Sequence, residues 1–204
     1  MAATRNNIKI FIASTVYNFQ TELNNIYKLL DSYGYDVNNS HKGTFLVDSS
    51  ESNLDNCINA VKNCDVFIGF IRPDYGSGVL EKGGKSITHL EFETASSLKI
   101  PRFIMADYRV PFTRSLIRKA TVKPNEDIVI QLNSSNVNFN DNKIMDIRCV
   151  QLYEDMVKDK IPPLDRKGNW IQEYTNLDDI MLYIESQFKY PERIKLLMDK
   201  ISKL

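Results

Sequence analysis

The sequence predicts an α/β fold: a doubly wound, mostly parallel sheet with a mixed, largely helical C-terminal extension. Three observations predict it. Ile8 to Ala13 and Val66 to Ile71 are short, compact apolar runs, as expected of strands buried on both faces. Polar loops and then helical periodicity follow these runs. Strand and helix also alternate through the first half of the chain, which implies parallel strands joined by right-handed crossovers.

The elements are expected in this order. The first strand, Ile8 to Ala13, ends at Ser14 and Thr15 in a polar loop. Apolar residues at 19, 23, 26, 27, 29, 30 and 33 then predict a helix that Gly34 stops. Tyr35 to Val37 reads as a short second strand, and 41–53, polar and interrupted by Gly43, as mostly loop. Leu54 to Cys64 reads as a second helix with Leu54, Cys57, Ile58 and Val61 on one face. Val66 to Ile71 is the central strand, and the turn-rich segment Arg72 to Gly78 follows it. A glycine-bearing loop from Gly83 leads to a helix over about 88–98, and Pro101 opens a strand from Arg102 to Ala106. Beyond Asp107 the pattern loosens. Pro111 to Lys119 suits a short helix, Ile128 to Leu132 a strand, and 133–142 an Asn-rich loop. Lys143 to Lys158, Leu177 to Phe188 and Ile194 to Leu204 read as helices, with Trp170 as a core anchor. The expected organisation is an α/β domain over 1–123 and an extension over 124–204 packed on it.

Composition narrows the function classes. The 204 residues suffice to bury a core without disulfides or metals. Twenty-six basic and 26 acidic residues cancel, which removes the broad electrostatic case for nucleic acid or an anionic membrane. Cys57, Cys64 and Cys149 form no disulfide framework, and His41 and His89 are too scattered for a zinc pattern, so no metal is expected. The cysteines read as small buried hydrophobes of a reducing compartment. With no signal-peptide run at the N-terminus and no span-length apolar stretch, the expectation is a cytoplasmic protein.

In an open parallel sheet, ligands sit outside the carboxyl ends of the strands. That rule selects Ser14 to Asn18, Arg72 to Gly78 and the start of the helix holding Glu91. Ser14 and Thr15 offer hydroxyls for a phosphate or ribose, or alternatively a helix cap. Arg72, Asp74 and Tyr75 supply a cation, a carboxylate and an aromatic face, or an ordinary turn. Thr88-His89-Leu90-Glu91 has capping-box spacing, and spacing alone favours that reading of Glu91. In the other reading Glu91 bonds ribose hydroxyls and stabilises an oxocarbenium-like transition state. Glu93 reads as a solvated charge. Gly83-Gly84-Lys85-Ser86 lacks the preceding glycine and strand of a phosphate loop, which excludes a Walker motif.

Ile10 to Tyr17, with Glu22 in the next helix, resembles a bacterial TIR-like family of domains of unknown function. So do Asn63 to Gly69, Tyr75-Gly76-Ser77, Ser86 to Ala95, and Ile100-Pro101. Members of that family occur alone or in front of NACHT-type and other signalling ATPases. The likeness covers roughly residues 8 to 106, and Asn169-Trp170 with Ile184 to Phe188 is similar to tails that follow this domain. The resemblance implies a TIR/flavodoxin-like architecture. It also places Glu91 where TIR domains and nucleoside deoxyribosyltransferases carry a glutamate.

What the resemblance implies about activity is an NAD-consuming enzyme of anti-phage defence. Glu91 would be its catalytic carboxylate, Ser14, Thr15 and Tyr17 its phosphate and ribose side, and Tyr75 a stacking face. NAD is then a substrate, and no metal or flavin is implied, because cationic nicotinamide is already a good leaving group. Products would be ADP-ribose, cyclic forms or conjugates, and expected partners are the nucleotide, further copies of the chain or a downstream effector protein. The alternative is a non-catalytic module that binds a nucleotide signal or a protein. A deoxyribosyltransferase ranks third, because no Asp-Gly-Thr-like segment precedes the glutamate.

Overall fold

A computed structural model describes residues 7–76, 84–120 and 145–203. Among them, five strands form one all-parallel sheet: β1 (Lys9–Ala13), β2 (Asp36–Asn39), β3 (Val66–Ile71), β4 (Arg102–Asp107) and β5 (Ile171–Tyr174). Their spatial order is β2-β1-β3-β4-β5. The expected α/β class and parallel sheet are therefore present.

The helices are α1 (Gln20–Ser32), α2 (Asn53–Lys62), α3 (Ile87–Ser97), α4 (Arg109–Ala120), α5 (Arg148–Val157), α6 (Leu177–Phe188) and α7 (Pro191–Ser202). They cover both faces of the sheet, as the uniformly apolar central strands require. On one face Leu23, Ile26 and Leu30 of α1 pack with Ile180, Ile184 and Phe188 of α6 and Ile194 of α7 beneath Ile10, Ile12, Ile68 and Phe70. On the other, Val61 of α2, Phe92 of α3, Val110 of α4 and Leu152 of α5 pack on Phe11, Phe67, Ile71 and Ile104. Phe11, Phe67, Phe70, Phe92 and Phe188 are fully buried. Burial of such a side chain contributes about 1.5–3 kcal/mol.

Alternate residues of β3 thus serve opposite cores, and Gly69 lies among them for a steric reason. A Cβ there would meet the ring of Phe92 and lie 2.8 Å from the ring of Phe67, so the missing side chain is the space that lets α3 close on the sheet.

The second strand begins at Asp36 and runs on to Asn39, beyond the Tyr35 to Val37 expected. β5 was not expected. Its sequence, Ile171-Gln172-Glu173-Tyr174, has no apolar run, because it is an edge strand whose core contribution falls mainly on Tyr174. Residues of the expected extension therefore supply one strand of the sheet and part of both cores. Trp170 is a correction. It is 75% exposed, and the aromatic of this segment that enters the core is Tyr174, stacked near Phe19 and edge-on to Phe70. The expected strand Ile128 to Leu132, the Asn-rich loop and the turn over 77–83 lie outside the described residues.

Candidate functional site

The strand order reverses between β1, which continues to β2 on one side, and β3, which continues to β4 on the other. A crevice of about 790 Å³ opens at the carboxyl ends of these two strands, as the topology of a doubly wound sheet dictates. Its volume falls in the range of small-molecule sites, roughly 300–1,000 Å³. Ser14, Thr15 and Tyr17 line it from the loop after β1, Asp74, Tyr75 and Gly76 from the loop after β3, and Glu91 from α3. Six of the seven site residues expected from the sequence thus meet at one cavity.

Arg72 is the seventh, and its side chain does a different job. It is buried, and its Nη1 donates to the carbonyls of Thr15 at 3.2 Å and Tyr17 at 2.6 Å, while Nη2 reaches Asn18 O at 3.4 Å. The guanidinium also pairs with Asp74 at 3.3 Å and lies 4.5 Å from the centre of the Phe19 ring. Arg72 clamps the loop after β1 to the loop after β3. The alternative cap reading of Ser14 and Thr15 does not hold, since α1 is entered through Phe19 with no side-chain cap and the Ser14 hydroxyl bonds Thr15 O. Gly76, at φ +88°, closes the two loops together, because a Cβ there would lie 2.6 Å from the Thr15 methyl carbon.

Glu91 is 3% exposed. The capping-box reading is corrected here: Ser86 caps α3 by accepting from the His89 amide, and Glu91 sits beyond the first turn. Its carboxyl is held among α2 and α3, with a hydrogen bond from the Cys57 thiol. Burial, only partly offset by that bond, pushes its pKa from an ordinary 4.5 up to about 8. Burial thus favours the protonated form of Glu91 at neutral pH. Burial, then the neighbouring Glu91, likewise pushes the Cys57 thiol up to about 12. All three cysteines are free and buried, as expected.

Behind the crevice, Tyr75 Oη lies 2.6 Å from His89 Nδ1, and His89 Nε2 lies 3.0 Å from Asp155 on α5. Burial holds the His89 pKa below its usual value despite the nearby carboxylates. Glu93, expected as a solvated charge, is paired with Lys85 on the outer side of α3. His89, Glu93 and Asp155 converge within 4.8 Å, with Glu93 paired to Lys85 and Asp155 hydrogen-bonded to His89 Nε2.

Four lining residues carry no recognisable signal in the sequence. Asn56 and Cys57 come from α2, and Asn56 is consumed in structure, bonding the Asp48 amide and the Asp48 and Ser52 carbonyls. Asp146 comes from just before α5 and Arg148 from its first residue, about 70 residues beyond the loop they join. The Asp146 amide donates to Pro73 O at 2.8 Å. No local pattern announces such a long-range meeting.

No curated protein matches the chain. One family model matches residues 9–188, from the first residue of β1 to the last of α6, so the sheet, both crevice loops and Glu91 all lie inside it. The chain belongs to that family, DUF4062, a domain of unknown function.

Proposed function

We propose that this protein cleaves the N-glycosidic bond between nicotinamide and ribose in NAD, with Glu91 as the catalytic carboxylate. The observation that carries the reading is a buried carboxyl in the wall of a nucleotide-sized crevice at the switch point of the sheet. The resemblance to TIR domains supports it, since their glutamate occupies the corresponding helix, and it suggests a signal made for anti-phage defence.

The chemistry follows from electrostatics. A bound pyridinium brings a positive charge into a poorly solvated site, and an adjacent cation favours the ionised form of a carboxyl. Glu91 then loses its proton as the substrate enters. When the C1′–N bond breaks, its electron pair leaves with nicotinamide, which becomes neutral, and positive charge spreads over the ribose ring. The Glu91 carboxylate stabilises that charge. Water adds at C1′ and releases a proton, which gives ADP-ribose. Another nucleophile at the same carbon gives a conjugate or a cyclic product. Ser14 and Thr15 supply hydroxyls to the ribose and phosphates.

The test is nicotinamide release from NAD by concentrated protein, beside a Glu91→Gln variant shown to be folded. Release by the wild type alone is the expected result. Silence of both, with crowding agent and infected-cell extract present, overturns the reading in favour of a nucleotide- or protein-binding module.

A further inference from the structure

Charge is unevenly supplied inside the crevice. Its lining among the described residues includes three acidic side chains, Asp74, Glu91 and Asp146, and a single cation, Arg148. The other arginine nearby, Arg72, has only 6% of its side chain exposed and is spent on the carbonyls of the first loop. The Arg148 side chain is 38% exposed. Among the described residues, an anion entering this cavity meets one guanidinium, that of Arg148, which is paired with Asp146.

That guanidinium is held on two sides. Asp146 engages its Nε and Nη2 edge, with Nε at 3.0 and 3.2 Å from the two carboxylate oxygens and Nη2 at 2.6 Å. Its plane lies over the Tyr75 ring, 4.4 Å from the centroid. Tyr75 is itself fixed by His89, and Asp146 by Pro73 O. A guanidinium carries five N–H donors, and its Nη1–Nη2 edge has the fork geometry that grips two oxygens of one phosphate. Because the orientation is already set, little side-chain entropy remains to be lost on binding.

We infer that Arg148 is the anion anchor of the crevice and binds the phosphates of a pyrophosphate-bearing nucleotide. The inference deepens the NAD reading and rests on it for the choice of ligand. It also corrects the division of labour expected of the arginines. Arg72 shapes the loop, and Arg148, contributed from far along the chain, meets the ligand.

The experiment compares wild type with Arg148→Met, which keeps an apolar stem on Tyr75, and Arg148→Lys, which keeps charge without the fork. Calorimetry with inorganic pyrophosphate, ADP-ribose and nicotinamide riboside reads the affinities, and thermal unfolding checks the fold. Arg148→Met is expected to weaken pyrophosphate and ADP-ribose about tenfold or more, the size of one charge-assisted bidentate contact, with Arg148→Lys between it and wild type. Nicotinamide riboside, which lacks phosphate, should bind all three proteins alike. Equal pyrophosphate affinity in all three, absence of pyrophosphate binding by wild type, or parallel loss of nicotinamide riboside overturns the inference. Arg148-dependent pyrophosphate binding without nicotinamide release would leave the anchor standing and remove the glycosidic reading.

Discussion

The Tyr75 hydroxyl and His89 Nδ1 lie 2.6 Å apart, and the direction of the hydrogen bond between them is fixed from the far side of the imidazole. Asp155, 3.0 Å from Nε2, accepts, so Nε2 carries the proton of the neutral ring. Nδ1 is then an acceptor and Tyr75 the donor. A residue lining the crevice is thereby locked to a carboxylate on α5 that does not line it.

Replacing Tyr75 with Phe should therefore cost more than a surface hydroxyl would. It leaves a buried acceptor without its donor, a loss of about 1–3 kcal/mol. Urea unfolding of the variant measures it, and the same titration on a Tyr17→Phe control should show almost no change, because Tyr17 is 69% exposed.

Glu91 makes the fold weaker as the solution becomes alkaline. Its folded pKa, about 8, lies above its ordinary value of 4.5, so between those pH values the native state holds a proton that the unfolded chain has released. Its stabilising contribution is complete below about 4.5 and is lost as the pH rises through about 8. Glu91→Gln removes that dependence. The variant should be more stable than wild type above pH 8, by on the order of a few kcal/mol, with the gap closing towards pH 5. Thermal unfolding at the two extremes checks it, and a helix-capping glutamate would give the opposite sign.

The same ionisation should appear in turnover. Under the proposed NAD cleavage the free protein must lose the Glu91 proton, so kcat/KM for NAD should rise with pH and level off above about 8. Since the bound pyridinium favours the carboxylate, the rise in kcat should lie at lower pH. Steady-state nicotinamide release from pH 5 to 9 separates the two curves, and coincident midpoints would remove the electrostatic role given to the substrate's charge.

Arg72→Met should unfold more readily by about 2–4 kcal/mol, because a buried cation leaves behind several carbonyls and Asp74. Arg72→Lys should recover little of this, since one ammonium cannot span acceptors on Thr15, Tyr17 and Asn18. Chemical denaturation of the pair measures the difference.

Much of the architecture was legible because buried parallel strands have an unmistakable composition. Ile8 to Ala13 and Val66 to Ile71 are apolar runs of strand length, and Leu177 to Phe188 is bounded to the residue by its periodicity. β5 was invisible because one inward aromatic, Tyr174, leaves no pattern over four residues. The two loops and Glu91 followed from the rule that ligands gather at strand ends. Arg72 defeated that rule because chemistry-bearing side chains near a crevice also have loops to hold. Asp146 and Arg148 were out of reach, since sequence carries no trace of which distant helix start will meet Pro73 and Tyr75.

The pairing of Tyr35 with Phe188 has a consequence for biosynthesis. The Tyr35 hydroxyl donates to the Phe188 carbonyl at 2.8 Å, and their rings meet edge to face, 153 positions apart in the chain. The core beneath β1 and β2 is thus finished by residues made long after those strands. A nascent chain halted on the ribosome before Phe188 emerges would expose Leu23, Ile26 and Leu30 of α1 without the α6 face that covers them. For that interval the uncovered apolar face of α1 is open to association with neighbouring chains.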